Sequence, residues 1–150
     1  MPVDVLTEIT IDRPRAMVAE FAASPDNALT WYENIHSVHW DSDAGLAVGS
    51  EIVFNAWFLV KRLRYTYTVL ELIEGERMVM ATDQGKFPME TTYEWFDAAA
   101  GGTRMTLRNR GEPKGWPGVA APLMARSMRK ANLKDLARLK DVLERITPPS

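Results

Sequence analysis

The hydrophobic pattern changes its period late in the chain, and this change constrains the fold more than any other feature. From about Val53 to Arg110 apolar and polar residues alternate, which indicates strands with one buried face. From Val119 to Ile146 the apolar residues recur at helical spacing, which indicates one long amphipathic helix. Neither element can bury its apolar side alone. We therefore expect an α+β fold in which a curved antiparallel sheet of about seven strands wraps around a long C-terminal helix.

One strand and a first short helix precede this region. Alternation from Val3 to Ile11 predicts the strand, with one face buried and the other carrying acids and threonines. Asp12 fits the N-cap of a helix that has Pro14 in its first turn and ends near Ala23.

A second short helix is predicted over residues 25–34, with Leu29 and either Trp31 or Tyr32 facing inward. The strands that follow are joined by short turns, so neighbours in sequence should pair antiparallel. These strands are predicted at residues 38–40, 51–58, 61–69, 77–82, 89–95 and 104–110.

The composition is that of one globular domain, which we place at residues 1–150. A hydrophobic share of 46% supports a full core, and a net charge of −2 gives no basic footprint for a nucleic acid. The chain has no cysteine, which excludes disulfides and thiolate metal sites and fits a cytoplasmic protein. Its acidic start is unlike a signal peptide, and no apolar run approaches the roughly 18 residues of a membrane span. Whether the chain forms a homodimer stays open.

Catalytic chemistry has little support in the sequence. The two histidines, His36 and His39, have an odd spacing, so on a strand they would point to opposite faces. We expect structural or surface roles for them, with no metal site and no cofactor. No local nucleophile signature is present, so no catalytic residue is assigned. Cross-strand salt bridges are expected on the outer face of the sheet, among Arg62, Arg64, Arg104, Arg108, Arg110, Glu51, Glu90 and Glu94.

The predicted concave face of the sheet offers the best candidates for a binding site. Its apolar side chains would supply affinity, and a few tyrosine hydroxyls and one asparagine amide would orient a ligand. Without a ligand, the tyrosines would bond to one another and to the backbone instead. The helix residues Leu123, Ser127 and Ala131 are expected to approach this face. The candidate ligand-binding residues are Phe54, Phe58, Tyr65, Tyr67, Met89, Thr91, Tyr93, Trp95, Leu107, Asn109, Trp116, Met124 and Met128.

The segment before the long helix, residues 111–118, holds three glycines and two prolines and has no strand alternation. Together with the second short helix it is predicted to form the entrance to the interior. Trp116 would cap the cavity or pack against Trp31 or Tyr32. The alternative is a plain linker in which Trp116 is only an anchor.

Several stretches carry a resemblance to a known superfamily. They are ITIDRPRAMVAEFAA, VGSEIVF, YTYTVLELIEGERMVM, FPMETTYEWFD followed by GGTRMTLRNRGEP, and RKANLKDLARLKDVLE. In this order they resemble the SRPBCC superfamily, the helix-grip fold shared by START lipid-transfer domains, birch-pollen-allergen-type proteins and polyketide cyclase/dehydrase-like proteins. The chain looks most like the small bacterial polyketide cyclase-like members. The resemblance implies two short helices after the first strand and a cavity between sheet and helix.

Function is less constrained, because the superfamily includes carriers, receptors, cyclases and hydratases on one scaffold. The interior favours binding of a small hydrophobic or aromatic molecule, such as a lipid- or polyketide-like metabolite. One alternative is a cyclase or dehydratase that uses a tyrosine as general acid, although the sequence shows no base to pair with it. Another is an interaction module without a ligand. Whether the chain is an enzyme stays open.

Overall fold

The computed structural model describes residues 3–58, 61–82, 88–112 and 120–146, with the backbone alone at residues 58 and 61. Its elements follow the predicted order. They are β1 (Val3–Ile11), α1 (Arg15–Ala23), a 3-10 turn (Pro25–Asn27), α2 (Ala28–Trp31), β2 (Ile35–Trp40), β3 (Glu51–Phe58), β4 (Lys61–Ile73), β5 (Arg77–Thr82), β6 (Met89–Asp97), a second 3-10 turn (Ala99–Gly101), β7 (Thr103–Gly111) and α3 (Ala120–Arg145).

The strands form one curved antiparallel sheet in the order β1-β7-β6-β5-β4-β3-β2. Strands β2 to β7 are each paired with their neighbours in sequence, as short turns require. Strand β1 pairs with β7, in a register that sets Val5 opposite Asn109. The long helix α3 follows β7 and packs against β1. This is the predicted helix-grip fold.

Two clusters of buried residues fasten α3 to the sheet. The larger one unites α1, α2 and the sheet with the C-terminal half of α3, where Leu136, Leu139 and Leu143 are fully buried. The smaller one joins the first turns of α3, through Ala121 and Met124, to Val3 and Val5 of β1. The middle of α3 belongs to neither buried cluster, and this gap in the packing positions the site described below.

Basic residues of α3 protect the exposed edge of the sheet. Strand β1 lies at that edge, where unpaired carbonyl groups would otherwise face water or another strand. Arg129 Nη1 donates to the carbonyl oxygen of Leu6 at 2.9 Å, and Lys140 Nζ donates to that of Thr10 at 2.8 Å. These long side chains therefore bind the edge strand.

The outer face of the sheet carries cross-strand salt bridges, but of those shown only one joins two residues of the predicted set. Arg110 pairs with Glu90 at 2.5 Å across β6 and β7, and the predicted acid Glu94 pairs with Arg77 at 3.1 Å. Arg77 also pairs with Glu71 of β4 at 3.2 Å, and two further pairs use acids of β1, because that strand lies beside β7. They are Arg104 with Glu8 and Arg108 with Asp4.

Some boundaries and orientations differ from the predictions. The backbone N–H of Asp12 donates to Glu144 Oε2 at 2.8 Å, and Pro14 occupies the N-cap of α1. The second helix ends at Trp31, and Leu29 on it is exposed. Leu123 of α3 is 66% exposed, so it does not approach the sheet as expected. The helical stripe turns away from the sheet at that position.

Strand β4 also extends past its predicted end at residue 69, to Ile73. The pairing with β5 is irregular between Val69 and Glu71. The irregularity breaks the alternation that marked the strand and leaves Leu70 exposed. No helix within the described ranges is long and apolar enough to cross a membrane.

Candidate functional site

A cavity of about 310 Å³ lies between the concave face of the sheet and the middle of α3. We call it the central cavity. Its volume is at the lower end of the range for small-molecule sites, about 300–1,000 Å³. It is lined by Tyr32, Asn34, Ile35, Phe54, Ala56, Trp57, Tyr65, Tyr67, Met80, Met89, Thr91, Tyr93, Asn109, Ser127, Met128, Ala131, Asn132 and Asp135.

The cavity exists because α3 changes composition along its inner face. The C-terminal turns present leucines, which fill the space between helix and sheet. The middle turns present the small residues Ser127 and Ala131 and the short polar residues Asn132 and Asp135. These side chains reach less far than leucine, so the sheet and helix do not close on each other there.

A directional hydrogen-bond chain crosses the sheet side of the cavity. Thr91 Oγ1 lies 2.7 Å from Asn109 Oδ1 and must donate to it, because an amide oxygen only accepts. The Tyr67 hydroxyl is also hydrogen-bonded to the Thr91 side chain. Burial raises the pKa of Tyr67 well above its ordinary value, which keeps this hydroxyl protonated. The chain fixes the orientation of the Asn109 amide.

A second polar group joins α2, β6 and α3. The hydroxyl oxygens of Tyr32 and Tyr93 lie 2.5 Å apart. Burial raises the pKa of both tyrosines, and the nearby carboxyl group of Asp135 raises them further. A pair of hydroxyls uses only one of its two protons internally. The other O–H must therefore find an acceptor elsewhere at the site.

Asp135 is the one buried carboxyl group among the described residues. It is 5% exposed, and its Oδ1 accepts the backbone N–H of Glu33 at 3.1 Å. Burial raises its pKa to about 6, against the opposing effect of that hydrogen bond. It therefore exchanges a proton close to neutral pH, as an acid–base group requires.

Asn132 lies one helical turn before Asp135 and is also 5% exposed. Its Nδ2 is buried and has no hydrogen-bond partner in the described part of the chain. A buried donor without a partner costs about 1–3 kcal/mol. Such a group at a cavity wall is typical of a site whose partner is a ligand or a water molecule.

Most of the predicted ligand-binding residues line the central cavity. Trp95 and Leu107 do not, although both lie in the main core, and Trp95 instead lines a groove beside α1. Met124 packs on Val3 and Val5 of β1. The residues that do line it are Phe54, Tyr65, Tyr67, Met89, Thr91, Tyr93, Asn109 and Met128.

Two predicted site residues lie outside the described set. They are the side chain of Phe58 and the whole of Trp116. The predicted role of Trp116 at the entrance therefore stays a prediction. Trp31, proposed as its contact, is fully buried and stacks on Tyr32 with ring centroids 4.1 Å apart.

Sequence reasoning missed the polar residues of α3. Asn132 and Asp135 share the inner face of the helix with Met128 and Leu139, at spacings of three and four residues. A polar pair that interrupts an apolar helical stripe was a readable signal of a functional site. Tyr32 was considered only as an inward-facing residue, because its contact with Tyr93 joins positions far apart in the chain.

The structure does not bring the histidines to the site. His36 and His39 are both exposed on β2, where the pairing is irregular between Ile35 and Ser37. This irregularity overrides the simple alternation that predicted opposite faces. Within residues 3–58, 61–82, 88–112 and 120–146, no group of three or more metal-ligating side chains is present.

Fold and site together define the class of this protein: a helix-grip domain with a ligand-sized internal cavity. The chain belongs to the family described as "Polyketide cyclase / dehydrase and lipid transport", whose family model matches residues 2–144. No curated protein matches this sequence.

Solved structures share the fold at low sequence identity. TTHA0849 from Thermus thermophilus is 18% identical with a TM-score of 0.79, covering 93% of this chain and 96% of that one. The Zhui aromatase/cyclase from a Streptomyces species is 14% identical with a TM-score of 0.78, covering 97% and 95%. A START superfamily protein from Mycobacterium smegmatis is 14% identical with a TM-score of 0.77, covering 96% and 99%. At such identities the likeness supports the fold alone.

Proposed function

We propose that this protein binds a small hydrophobic or aromatic molecule, lipid- or polyketide-like, in the central cavity. One observation carries the proposal: the largely apolar cavity has at its wall a buried hydrogen-bond donor that the described residues leave without a partner. Asn132 Nδ2 has no partner among those residues. One O–H of the Tyr32–Tyr93 pair also needs an acceptor beyond the pair itself. A ligand that carries oxygen acceptors on an apolar frame would satisfy both.

The polar groups suggest how such a ligand would lie. Asn109 is held by Thr91 on the sheet side and lines the cavity. Tyr65 lines the same cavity, while Asn132 and Asp135 stand on the helix side. Phe54, Met80, Met89 and Met128 would contact the apolar frame, and methionines adapt well to irregular shapes. A cytoplasmic location and the absence of a nucleic-acid partner stay predictions.

Filling the cavity tests the proposal. Ala131 lines the cavity, and Ala137 lies on the exposed face of the same helix. Binding of β-naphthol, measured by calorimetry, should weaken at least about tenfold, or about 1.4 kcal/mol, in Ala131→Trp. Ala137→Trp should bind like the wild-type protein. Equal binding by both variants, or none by the wild type, would contradict the proposal. Native mass spectrometry of protein purified from its own cells then identifies the natural ligand.

Asp135 supports a second candidate function, an acid–base enzyme acting on the bound molecule. A carboxylate with a pKa of about 6 can remove a proton next to a carbonyl group. The Tyr32–Tyr93 pair could donate the proton that lets a β-hydroxyl group leave as water. The deciding comparison is Asp135→Asn, which on this hypothesis keeps ligand affinity but loses turnover of a β-hydroxyketone. A turnover rate that Asp135→Asn leaves unchanged would remove the enzyme hypothesis.

A further inference from the structure

A second, larger space opens beside α1, at the other end of the concave face. Its volume is about 890 Å³, and we call it the α1 groove. The floor is apolar, with Ala19 and Trp95 almost fully buried. Charged groups stand at its rim, where Arg15 bonds to Asp97 at 3.1 Å. The groove is lined by Arg15, Ala16, Ala19, Glu20, Ala23, Ser24, Pro25, Trp40, Leu46, Leu72, Ile73, Glu74, Gly75, Trp95 and Asp97.

A small void lies between the α1 groove and the central cavity. It measures about 10 Å³, which is the space of about one water molecule. Ala23, Ser24 and Pro25 line both this void and the groove. Phe54, Met80 and Tyr93 line both the void and the central cavity. The three spaces are therefore neighbours, with the void between the other two.

The side chains at the void suit a passage that can open. On the helix side they are small: Ala22, Ala23 and Ala28. On the sheet side Met78 and Met80 have flexible, unbranched side chains that change rotamer at low cost. Met80 lines both the void and the central cavity, so its rotamer governs the contact between them.

We propose that the central cavity and the α1 groove form one continuous site for an extended, chain-like ligand. The polar end lies in the central cavity near Asn132, and the apolar chain passes Met80 and the void to lie over Trp40, Leu46 and Leu72 in the groove. This inference rests on the proposed function and specifies its ligand class as an acyl-chain amphiphile. A compact ring system would fill only the central cavity.

A series of saturated fatty acids, from octanoate through dodecanoate to tetradecanoate, tests the inference by calorimetry. Each methylene that becomes buried should raise affinity about fourfold, the equivalent of about 0.8 kcal/mol. In the wild-type protein the rise should continue to the longest chain. In Ala23→Leu, which narrows the passage, it should stop at an intermediate chain length. Ala137→Leu is the control, since Ala137 is exposed on α3 and lines none of the three spaces, and it should behave like the wild type.

Two results would overturn the inference. One is a fatty-acid affinity of the wild-type protein that stops rising at the same chain length as the affinity of Ala23→Leu. The other is fatty-acid binding that Ala131→Trp leaves unchanged, because the chain would then lie outside the central cavity. If Ala23→Leu does not fold, Ser24→Leu takes its place, since Ser24 lines both the groove and the void. Naphthol binding separates the two proposals: if naphthol binds while the series stops early, only the continuous site fails.

Discussion

The C-terminal half and the middle of α3 continue one helical stripe toward the sheet, yet they meet different surroundings. Leu136, Leu139 and Leu143 are fully buried and close the helix onto the core. Asn132 and Asp135 are almost as buried, but they line a cavity. Similar burial therefore has different structural consequences in the two parts of the helix. In the first region it stabilises the fold, and in the second it places polar groups at a cavity wall, where Asn132 Nδ2 has no partner among the described residues.

The largest expected effect lies in the closed half. Leu139→Ala should lower the free energy of unfolding by about 2–5 kcal/mol, because it removes buried methyl groups and leaves a cavity. Leu133→Ala is the control, since Leu133 is 47% exposed on the same helix, and it should cost no more than about 0.5 kcal/mol. Urea denaturation of both variants measures the difference. Similar costs at the two positions would mean that burial does not separate the two faces of α3.

Asp135→Asn addresses the open middle and should act through pH. The folded state raises the pKa of this carboxyl from 3.8 to about 6, so the folded protein holds the proton more tightly than the unfolded chain. Asp135 therefore contributes its full stabilisation to the wild-type protein below the unfolded pKa. This contribution is lost as the pH rises through about 6. Asparagine imitates the protonated acid and can still accept the Glu33 N–H.

The wild-type protein and Asp135→Asn should therefore be similarly stable near pH 4. Above about pH 6 the variant should be more stable by about 1–3 kcal/mol, from about 1.4 kcal/mol per pKa unit. Chemical denaturation across this range gives the difference directly. A difference that does not change with pH would show that Asp135 carries no raised pKa.

Asn132→Leu sharpens the comparison by making the middle of α3 resemble its end. Removing a buried amide donor that lacks a partner should raise the free energy of unfolding by about 1 kcal/mol, while ligand binding weakens. Asn109→Leu is the contrasting variant, because the Asn109 oxygen accepts from Thr91 and its loss should destabilise the protein. Thermal unfolding and naphthol titration give the two readouts. A loss of stability in Asn132→Leu would mean that the amide is satisfied within the protein.

The smallest effect is expected at Glu144, a carboxylate in the closed half. It accepts from the Asp12 N–H at 2.8 Å and from Lys140 at 2.6 Å. The Asp12 N–H, with Lys140, holds the pKa of Glu144 below its usual range. Its stabilising contribution is therefore present above the unfolded pKa and is lost as the pH falls through the folded value, opposite in sign to Asp135.

Glu144→Gln should cost about 0.5–1 kcal/mol at neutral pH and progressively less in acid. Denaturation at neutral and acidic pH measures the change. A cost that grows in acid would reverse the assigned sign and remove this contrast between the two carboxylates.

The sequence by itself determined the architecture. Alternation in β1 and in β3 to β7, and helical spacing in α3, are local properties of the chain, and each is strong enough to name its element. The order of these elements indicates a helix packed on a curved antiparallel sheet, because this arrangement buries the apolar faces of both. The inward faces of β3, β4 and β6 followed from the same alternation, and Phe54, Tyr65, Tyr67, Thr91 and Tyr93 on these faces line the central cavity. Their role in ligand binding stays a prediction.

Only the tertiary structure decided which inward residues are core and which are site. Trp95 and Leu107 have the same sequence pattern as Tyr93 and Asn109, but only the second pair lines the central cavity. The raised pKa of Asp135 and the Tyr32–Tyr93 contact arise where α2, β6 and α3 meet. Burial and electrostatic environment depend on contacts between residues distant in the chain, and the local period of a sequence carries no information about them.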